Sequence, residues 1–340
     1  MNAVETLLAP ADALRTRLYR LVAPWAGPLF ADRDRRVAWI GVGSVGLSFL
    51  LTLTVPLWTL ALGPVLLGVP HLVSDMRYLV VRPGLLQRGG FALLCGVPVL
   101  ATCFGAGPEV GLLAMVPAIL GANGPAWRKG LLLTVWAALT AFAVGSPLGM
   151  RLALLHGHNV MAVALWWWAW RRTHARAWGV PLLATVGTVA LLLGVAEPVL
   201  TTLGTWTAPA TGTTFEAFMW TLSPLKGQPV LAARLVLVFA FLQSVHYSVW
   251  LRLIPEDDRP RAAPRSWRAT WRALVEDFGA PPLALMLLLA LSVVVYGAWD
   301  LTEARLSYLQ LAMFHGFLEL AVAALWLVEG RGPRAGIQAC

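Results

Sequence analysis

Apolar windows about as long as a membrane-spanning helix recur along the whole chain. A bilayer core of about 30 Å needs about 20 apolar residues in each spanning helix. Windows of this kind fall at residues 37–56, 57–81, 91–107, 108–121, 130–148, 151–170, 180–203, 230–251, 280–299 and 307–328. We therefore predict an all-α fold, a polytopic transmembrane helix bundle of about ten spans. Nine or eleven spans are the alternatives, because the fourth window is short and the first two meet at Pro56.

Composition leaves little of the chain for a soluble domain. Of the 340 residues, 58% are hydrophobic and 13% are charged, and the mean hydropathy is +0.70. The apolar share is above that of soluble domains and the charged share is below it. The predicted organisation is an interfacial amphipathic segment at 1–36, a transmembrane bundle at 37–328 and a tail at 329–340. Residues 1–36 contain no apolar run that resembles a cleavable signal, so we expect the first span to remain in the mature protein.

The charged residues alternate from loop to loop. The net charge is +9, but the Arg residues flank apolar windows instead of forming a basic domain with interleaved aromatic residues, so we expect no nucleic-acid partner. Every second loop is basic, with Arg82, Arg88, Arg128, Lys129, Arg171, Arg172, Arg176, the Arg residues from Arg252 to Arg272, and Arg331 and Arg334. The other loops carry Glu109, Glu197, Glu216, Asp300 and Glu303, with Arg151, Lys226 and Arg305 as their basic members. The positive-inside rule then predicts that both termini are cytoplasmic.

High Ala, Leu, Arg and Gly usage is typical of a GC-rich bacterium and predicts a multi-pass protein of the bacterial inner (cytoplasmic) membrane.

Two basic segments outside the windows have helical apolar spacing. One lies within residues 1–36, and the other within the cytoplasmic loop at 252–279. Basic amphipathic helices of this kind lie in the headgroup layer of an anionic leaflet, so we expect the anionic inner leaflet as a partner. Anchoring is the simpler interpretation, and binding of another partner is the alternative. The outer loop at 204–229 is rich in Thr, Gly, Pro and aromatic residues, and we expect it to fold back over the bundle as a lid.

Histidines, acids and amides within the even-numbered windows are the candidates for chemistry. Ionisable side chains at membrane depth are costly, so each one is a candidate functional residue. They are His71 and Asp75 in the second window, His156, His158 and Asn159 in the sixth, Gln243, His246 and Tyr247 in the eighth, and His315 and Glu319 in the tenth. Residues four positions apart share a helix face. Helices of even number run in the same direction, so neighbouring placement would let these faces converge on one cavity.

Imidazoles and carboxylates together indicate a metal site. They are ligands of zinc, non-haem iron and related metals, and the second nitrogen of each ligating histidine needs an acceptor. The candidate metal ligands are His71, Asp75, His158, His246 and His315. Asp75 and Glu319 would orient histidines or complete the ligand shell, and Tyr247 would donate a hydrogen bond to dioxygen. We expect only one of His156 and His158 to face the bundle interior, and we exclude His174 as a cytoplasmic loop residue.

The depth of the histidines in the membrane leaves two arrangements open. Counting from the cytoplasmic Arg residues at about 1.5 Å per residue places His246 nearer the inner surface than His158 or His315 by about 10 Å, with His71 between. If that difference is real, the histidines form two layers, as the axial ligands of two stacked haems would. If helix tilt removes it, they form one non-haem site.

Several catalytic classes are not supported by the sequence. There is no HExxH motif, no G-x-S-x-G motif and no P-loop. The three cysteines Cys95, Cys103 and Cys340 form no C-x-x-C motif, which argues against a cysteine metal site or a disulfide framework.

The element GVPHLVSD, residues 68–75, resembles the short Pro-His-x-x-x-Asp element of the bacterial Brp/Blh family of membrane carotene-cleaving dioxygenases. The resemblance covers about eight residues directly, and this chain lacks the second histidine that often follows the Asp in that family. It implies an iron ligand at His71, with His158, His246 and His315 as further ligands.

The leading hypothesis is a membrane-embedded, His-rich metalloenzyme, a non-haem iron oxygenase acting on an apolar, lipid-soluble substrate. The alternatives are a b-type cytochrome with haem, a proton-coupled small-molecule transporter that uses His71, Asp75, His315 and Glu319, and a purely structural role for the histidines.

Overall fold

The structure is a computed structural model that describes residues 3–171, 174–208, 213–225, 227–258 and 265–330. Six residues used above as topology signals lie outside this described part: Arg172, Lys226, Arg259, Arg261, Arg331 and Arg334. So do most of the predicted tail and the middle of the loop at 252–279.

The described chain is helical almost throughout. Its α-helices are α1 (Ala3–Ala31), α2 (Arg33–Thr54), α3 (Pro56–Asp75), α4 (Phe91–Cys103), α5 (Pro108–Leu112), α6 (Met115–Gly121), α7 (Ala126–Gly145), α8 (Pro147–Trp166), α9 (Gly179–Leu192), α10 (Ala196–Leu203), α11 (Phe215–Leu222), α12 (Pro229–Ser248), α13 (Ile254–Asp258), α14 (Trp267–Phe278), α15 (Ala280–Trp299), α16 (Leu301–Leu311) and α17 (Met313–Glu329). Two-residue strands, β1 (Thr207–Ala208) and β2 (Thr213–Thr214), pair antiparallel in the outer loop. The all-α prediction is confirmed.

Among the described residues, seven helical stretches are long and apolar enough to cross a membrane. They are Arg33–Thr54, Pro56–Val81, Ala126–Gly145, Ala175–Leu192, Pro229–Asp258, Ala280–Trp299 and Leu301–Glu329. Shorter apolar stretches occur at Phe91–Cys103 and Pro108–Gly121. Helices of this length and composition fit a membrane protein, because only a helix satisfies all its backbone hydrogen bonds within one segment in lipid.

Local sequence explains where many helices begin and end. Proline occupies the first turn of α3, α8, α12 and α15, where its missing N–H costs nothing. Asp300 caps α16 by accepting from the backbone N–H of Glu303 at 2.9 Å. Gly330 ends α17 with a φ of +68°, a conformation that favours glycine.

Four helices surround the centre of the bundle. α12 packs against α3 and α8, and α17 packs against the same two helices. α12 is buried along most of its length, which explains why its apolar residues cover all faces instead of one. The second, sixth, eighth and tenth windows of the sequence thus meet at one place.

Three of these helices continue as π-helical turns at their C-terminal ends. The turns are Met76–Val81 after α3, Trp167–Arg171 after α8 and Val249–Leu253 after α12. π-Turns are rare and occur frequently next to functional sites. Asp257 of α13 links the segment after α12 to the C-terminal end of α8. It is fully buried, pairs with Arg171, and accepts a hydrogen bond from Trp166 Nε1 at 2.8 Å. Trp166 therefore lies in the protein interior.

The two amphipathic segments pack against each other. Asp12 of α1 accepts from the backbone N–H of Trp267 at 2.7 Å and from Arg268 Nε at 3.0 Å. Glu5 pairs with Arg272 at 2.6 Å. α1 and α14 therefore form one unit beside the bundle.

The described part of the outer loop packs on the bundle. Phe218 and Leu222 of α11 are each 2% exposed, and the Arg305 guanidinium carbon lies 4.7 Å from the centre of the Phe218 ring. The lid function of this segment stays a prediction.

Candidate metal centre

Four imidazole rings, one from each of the central helices, form a single cluster. His71 comes from α3, His158 from α8, His246 from α12 and His315 from α17. Ring centroids are separated by 5.2 Å for His71 and His246, 5.0 Å for His71 and His315, 5.1 Å for His158 and His246, and 5.2 Å for His158 and His315. The structure brings together the four histidines that the sequence put forward as ligands.

Three of these histidines present nitrogens at the spacing of a metal site. One ring nitrogen each from His71, His246 and His315 lies within 4.8 Å of the other two, and all three residues are buried. An ion that holds each imidazole nitrogen at about 2.0–2.1 Å spaces its ligands about 3–4 Å apart. Small side-chain adjustments therefore suffice for all three nitrogens to reach one ion.

Backbone carbonyls determine the tautomers of two histidines. His158 Nδ1 lies 2.8 Å from the carbonyl oxygen of Leu154, and His315 Nδ1 lies against the carbonyl oxygen of Ala312. A carbonyl oxygen can only accept, so Nδ1 carries the hydrogen in both rings. Nε2 then carries the lone pair, which is the form that binds a metal.

The other two histidines have buried nitrogens without a hydrogen-bond partner in the described structure. His71 Nδ1 lies 3.2 Å from the Tyr308 hydroxyl, but His71 Nε2 has no partner, and neither ring nitrogen of His246 has one. His315 Nε2 is also without one. A buried polar atom without a partner costs free energy, and such atoms are rare in native proteins. A metal ion bound by one nitrogen of each ring would satisfy three of these four nitrogens, so the residues fit a metal centre.

The cluster lines a mainly apolar cavity of about 310 Å³. Leu154, Leu155, Phe239 and Phe317 contribute to its wall, together with Gln243, as the sequence predicted. The exposed side chain of Arg151, on the loop side of α8, also borders the cavity. A cavity of this size and lining suits a small apolar molecule or part of a larger one.

The two carboxyl groups lie one helical turn beyond the histidines. Asp75 and Glu319 are fully buried, four residues after His71 and His315, and their charges are close enough to interact. Glu319 Oε1 accepts from Trp250 Nε1 at 3.0 Å, whereas Glu319 Oε2 and both oxygens of Asp75 have no hydrogen-bond partner in the described structure. Neither carboxylate belongs to the group of nitrogens within 4.8 Å. Their predicted role as ligands or orienting groups stays a prediction.

Tyr247 borders the same cavity, and His156 does not. The Tyr247 ring centroid lies 4.8 Å from that of His71. His156 Nε2 instead lies 3.1 Å from the carbonyl oxygen of Leu222, outside the cluster. His158 is therefore the histidine of α8 that faces the other three.

Sequence reasoning missed Tyr308, which contacts His71 directly. Its hydroxyl pairs with His71 Nδ1 at 3.2 Å, and its ring packs over Gly68 so closely that a Cβ there would overlap it. The one signal in the sequence was Gly68, a glycine inside α3 and three residues before His71. A glycine inside a helix often marks a position where another group packs closely. What faces that glycine was not visible, because Tyr308 is 240 positions away in the sequence.

The histidines lie in one layer and not in two. His246 and His315, for which the residue count gave a depth difference, have ring centroids 5.9 Å apart. The separation required for two stacked haems is therefore absent. The count failed because it treated each helix as parallel to the membrane normal and starting at the same level.

Comparison with protein-family models, with curated proteins and with solved structures finds no match.

Proposed function

We propose that this protein is a membrane-embedded metalloenzyme that uses non-haem iron to oxidise an apolar, lipid-soluble substrate. The observation that carries the proposal is the cluster of four imidazoles, three of which have a buried ring nitrogen without a hydrogen-bond partner among the described residues. Imidazole ligands suit iron, zinc, copper and nickel. Among these we choose iron because the lining of the cavity is mainly apolar, which suits oxidation of an apolar molecule, and because the GVPHLVSD element resembles an iron-dependent family.

Each residue has a specific role in this proposal. His71, His158, His246 and His315 hold the metal through ring nitrogens, and iron bound there supplies the redox chemistry needed to activate dioxygen. Asp75 and Glu319 hold or accept protons on the side of the cluster away from the outer loops. The role of the Tyr247 hydroxyl is to donate a hydrogen bond to dioxygen in the cavity. Tyr308 accepts from His71 Nδ1 and so keeps the opposite nitrogen available.

The substrate class follows from the lining of the cavity. Leu154, Leu155, Phe239 and Phe317 offer an apolar molecule contact area and exclude water from it. Exclusion of water protects reactive species from side reactions. A lipid-soluble molecule reaches such a cavity from the bilayer.

The membrane arrangement is part of the same proposal. The ten apolar windows correspond to ten helical stretches, when α5 and α6, α9 and α10, and α16 and α17 are each counted as one span. With the basic loops inside, this gives ten spans, both termini cytoplasmic, in a bacterial inner membrane.

The deciding experiment is metal analysis of the detergent-purified protein with an absorption spectrum. The variants are His71→Ala and His315→Ala, and His156→Ala is the matched control because it removes an imidazole of the same bundle outside the cluster. We expect stoichiometric iron in the wild type and the control, strong loss in the two cluster variants, and no Soret band. Equal metal content in all four proteins, or none in any of them, would refute the proposal.

A proton-coupled carrier is the second candidate, favoured by one observation. Asp75 and Glu319 are buried together, and no described Lys or Arg pairs with either of them, as expected for carboxyls that exchange protons during transport. Metal-free protein that catalyses proton-dependent flux in liposomes, with loss of flux in Glu319→Gln, would establish the carrier in place of the enzyme.

A further inference from the structure

A second and larger cavity lies beside the bundle, away from the histidines. Its volume is about 1130 Å³, and it is bordered by α1, α3, α14, α15 and the turn after α12. It shares no residue with the lining of the histidine cavity. The two cavities are therefore separate candidate binding sites.

The cavity is long and apolar over most of its length. Along α3 and the π-helical turn after it, the lining extends from Leu67 to Arg77, which corresponds to about 15 Å at 1.5 Å per residue. Leu67, Leu287 and Ala290 line its apolar part on the side of the bundle, and Leu14 and Leu18 line it from α1. This portion has the shape and chemistry of a binding site for a hydrocarbon chain.

The opposite end of the cavity is positively charged. Four guanidinium groups belong to the lining, from Arg15, Arg77, Arg252 and Arg265, and two carboxylates lie beside them, Glu256 in the lining and Asp277 next to Arg77. Arg77 also pairs with Asp277 at 2.6 Å, and Arg252 pairs with Glu256 at 3.1 Å, so both arginine side chains are held in place. Arginine binds phosphate oxygens through several N–H groups at once.

We propose that this cavity binds one anionic glycerophospholipid, with an acyl chain between α1 and α3 and the phosphate at the arginine end. The long apolar part of the cavity matches the acyl chain of that molecule, and the positively charged end matches its phosphate. α1 and α14 are basic amphipathic helices, and such helices are expected to lie in the headgroup layer of a membrane. The bound lipid fills the space between the α1 and α14 unit and the bundle. This inference depends on the membrane location of the protein and not on the metal centre.

The test is lipid retention in detergent, followed by native mass spectrometry. Delipidated protein is incubated with mixed micelles containing equal amounts of phosphatidylglycerol and phosphatidylcholine. We expect one phosphatidylglycerol to be retained in preference to phosphatidylcholine. Arg15→Gln should reduce that retention about fivefold, because one arginine near a membrane surface contributes about that factor in affinity for anionic lipid.

Two further variants separate a specific site from general charge attraction. Arg20→Gln removes the same charge from an exposed position of α1 that does not line the cavity, and should leave retention unchanged. Leu287→Trp fills the apolar part without changing charge, and should reduce retention of phosphatidylglycerol. The melting temperature of each variant is measured to show that it remains folded.

The contrary outcomes are equally clear. Equal retention of the two lipids would show that the arginine end of the cavity does not distinguish an anionic headgroup from a zwitterionic one. Equal losses in Arg15→Gln and Arg20→Gln would show attraction to the basic surface and no site. Either result overturns the proposal.

Discussion

The substitution Gly68→Ala tests how the protein positions His71. Gly68 lies one turn before His71 in α3, and the Tyr308 ring packs directly on it. The same ring carries the hydroxyl that pairs with His71 Nδ1. A methyl group at residue 68 would therefore displace Tyr308 and so alter the position of the candidate metal ligand His71 without contacting it.

The size of the effect follows from two distances. The added Cβ would lie 2.9 Å from Tyr308 Cε1 and nearer still to two other ring carbons, so the ring has to retreat by roughly 1 Å to reach ordinary contact. The hydrogen bond to His71, now 3.2 Å, would then exceed the length at which a hydrogen bond persists. Overpacking of this kind costs about 1–3 kcal/mol of stability. Loss of a group that orients a metal ligand weakens metal binding about 10–100-fold.

The assay is iron(II) titration of purified protein, with thermal unfolding measured on the same samples. Tyr308→Phe removes only the hydroxyl and should lower metal affinity about tenfold with little loss of packing. Gly46→Ala is the matched control, because a Cβ at that helical glycine meets nothing within 4 Å. It should leave affinity unchanged and, through helix propensity, raise stability by up to about 1 kcal/mol.

The reasoning would be refuted if Gly68→Ala and Tyr308→Phe both kept wild-type affinity while the wild type binds iron. Tyr308 would then be a packing residue only. A lower melting temperature in Gly68→Ala with unchanged affinity would confirm the overlap but not the positioning role.

Three further predictions concern other buried contacts. Trp250→Phe removes the donor to Glu319 Oε1 and should destabilise the protein by about 1–3 kcal/mol, measured by thermal unfolding in detergent against the wild type; an unchanged unfolding temperature would contradict the hydrogen bond. Asp257→Asn leaves Arg171 without its buried carboxylate and should cost about 3–5 kcal/mol in the same assay, so a loss below 1 kcal/mol would be evidence against this contact. Burial raises the pKa of Asp12, but hydrogen bonds from the backbone of α14 and from Arg268 outweigh it and hold the pKa below its ordinary value. The contact of α1 with α14 should therefore persist at neutral pH and be lost only as the pH falls below 3.8, seen as a longer distance between spin labels on the two helices; a distance that already lengthens above pH 3.8 would contradict it.

The fold class was predictable because lipid imposes one solution on apolar segments. A stretch such as 280–299 has to be a helix to satisfy its backbone groups in a bilayer, whatever its neighbours are. The apolar windows accordingly coincide with helical stretches, and α15 begins and ends within one residue of the predicted limits. Windows interrupted by glycine or proline were predicted less accurately: 108–121 became two short helices, α5 and α6. Helical periodicity says little about such breaks, because they depend on packing between helices.

The candidate site was predictable as a set of residues but not as an arrangement. A histidine at membrane depth is costly enough to be noticed in any sequence, and spacing identified the partners Asp75 and Glu319 on the same helix faces. Which of His156 and His158 joins the cluster depended on the rotation of α8, which its neighbours determine. The contributions of Tyr308 and Trp250 were invisible because both are common packing residues, and their importance comes from what they face.

The sequence alone therefore determined that the helices are suited to lipid, that the fold is helical, and which residues are candidates for chemistry. Each of these follows from local composition, since the cost of an unsatisfied backbone or a buried charge is a property of one segment. Only the tertiary structure decided that four imidazoles share one layer, that Asp75 and Glu319 lie close to each other, and that arginines from distant segments meet at one end of a second cavity. Those features depend on helix tilt, rotation and adjacency, which arise from contacts between segments far apart in the chain.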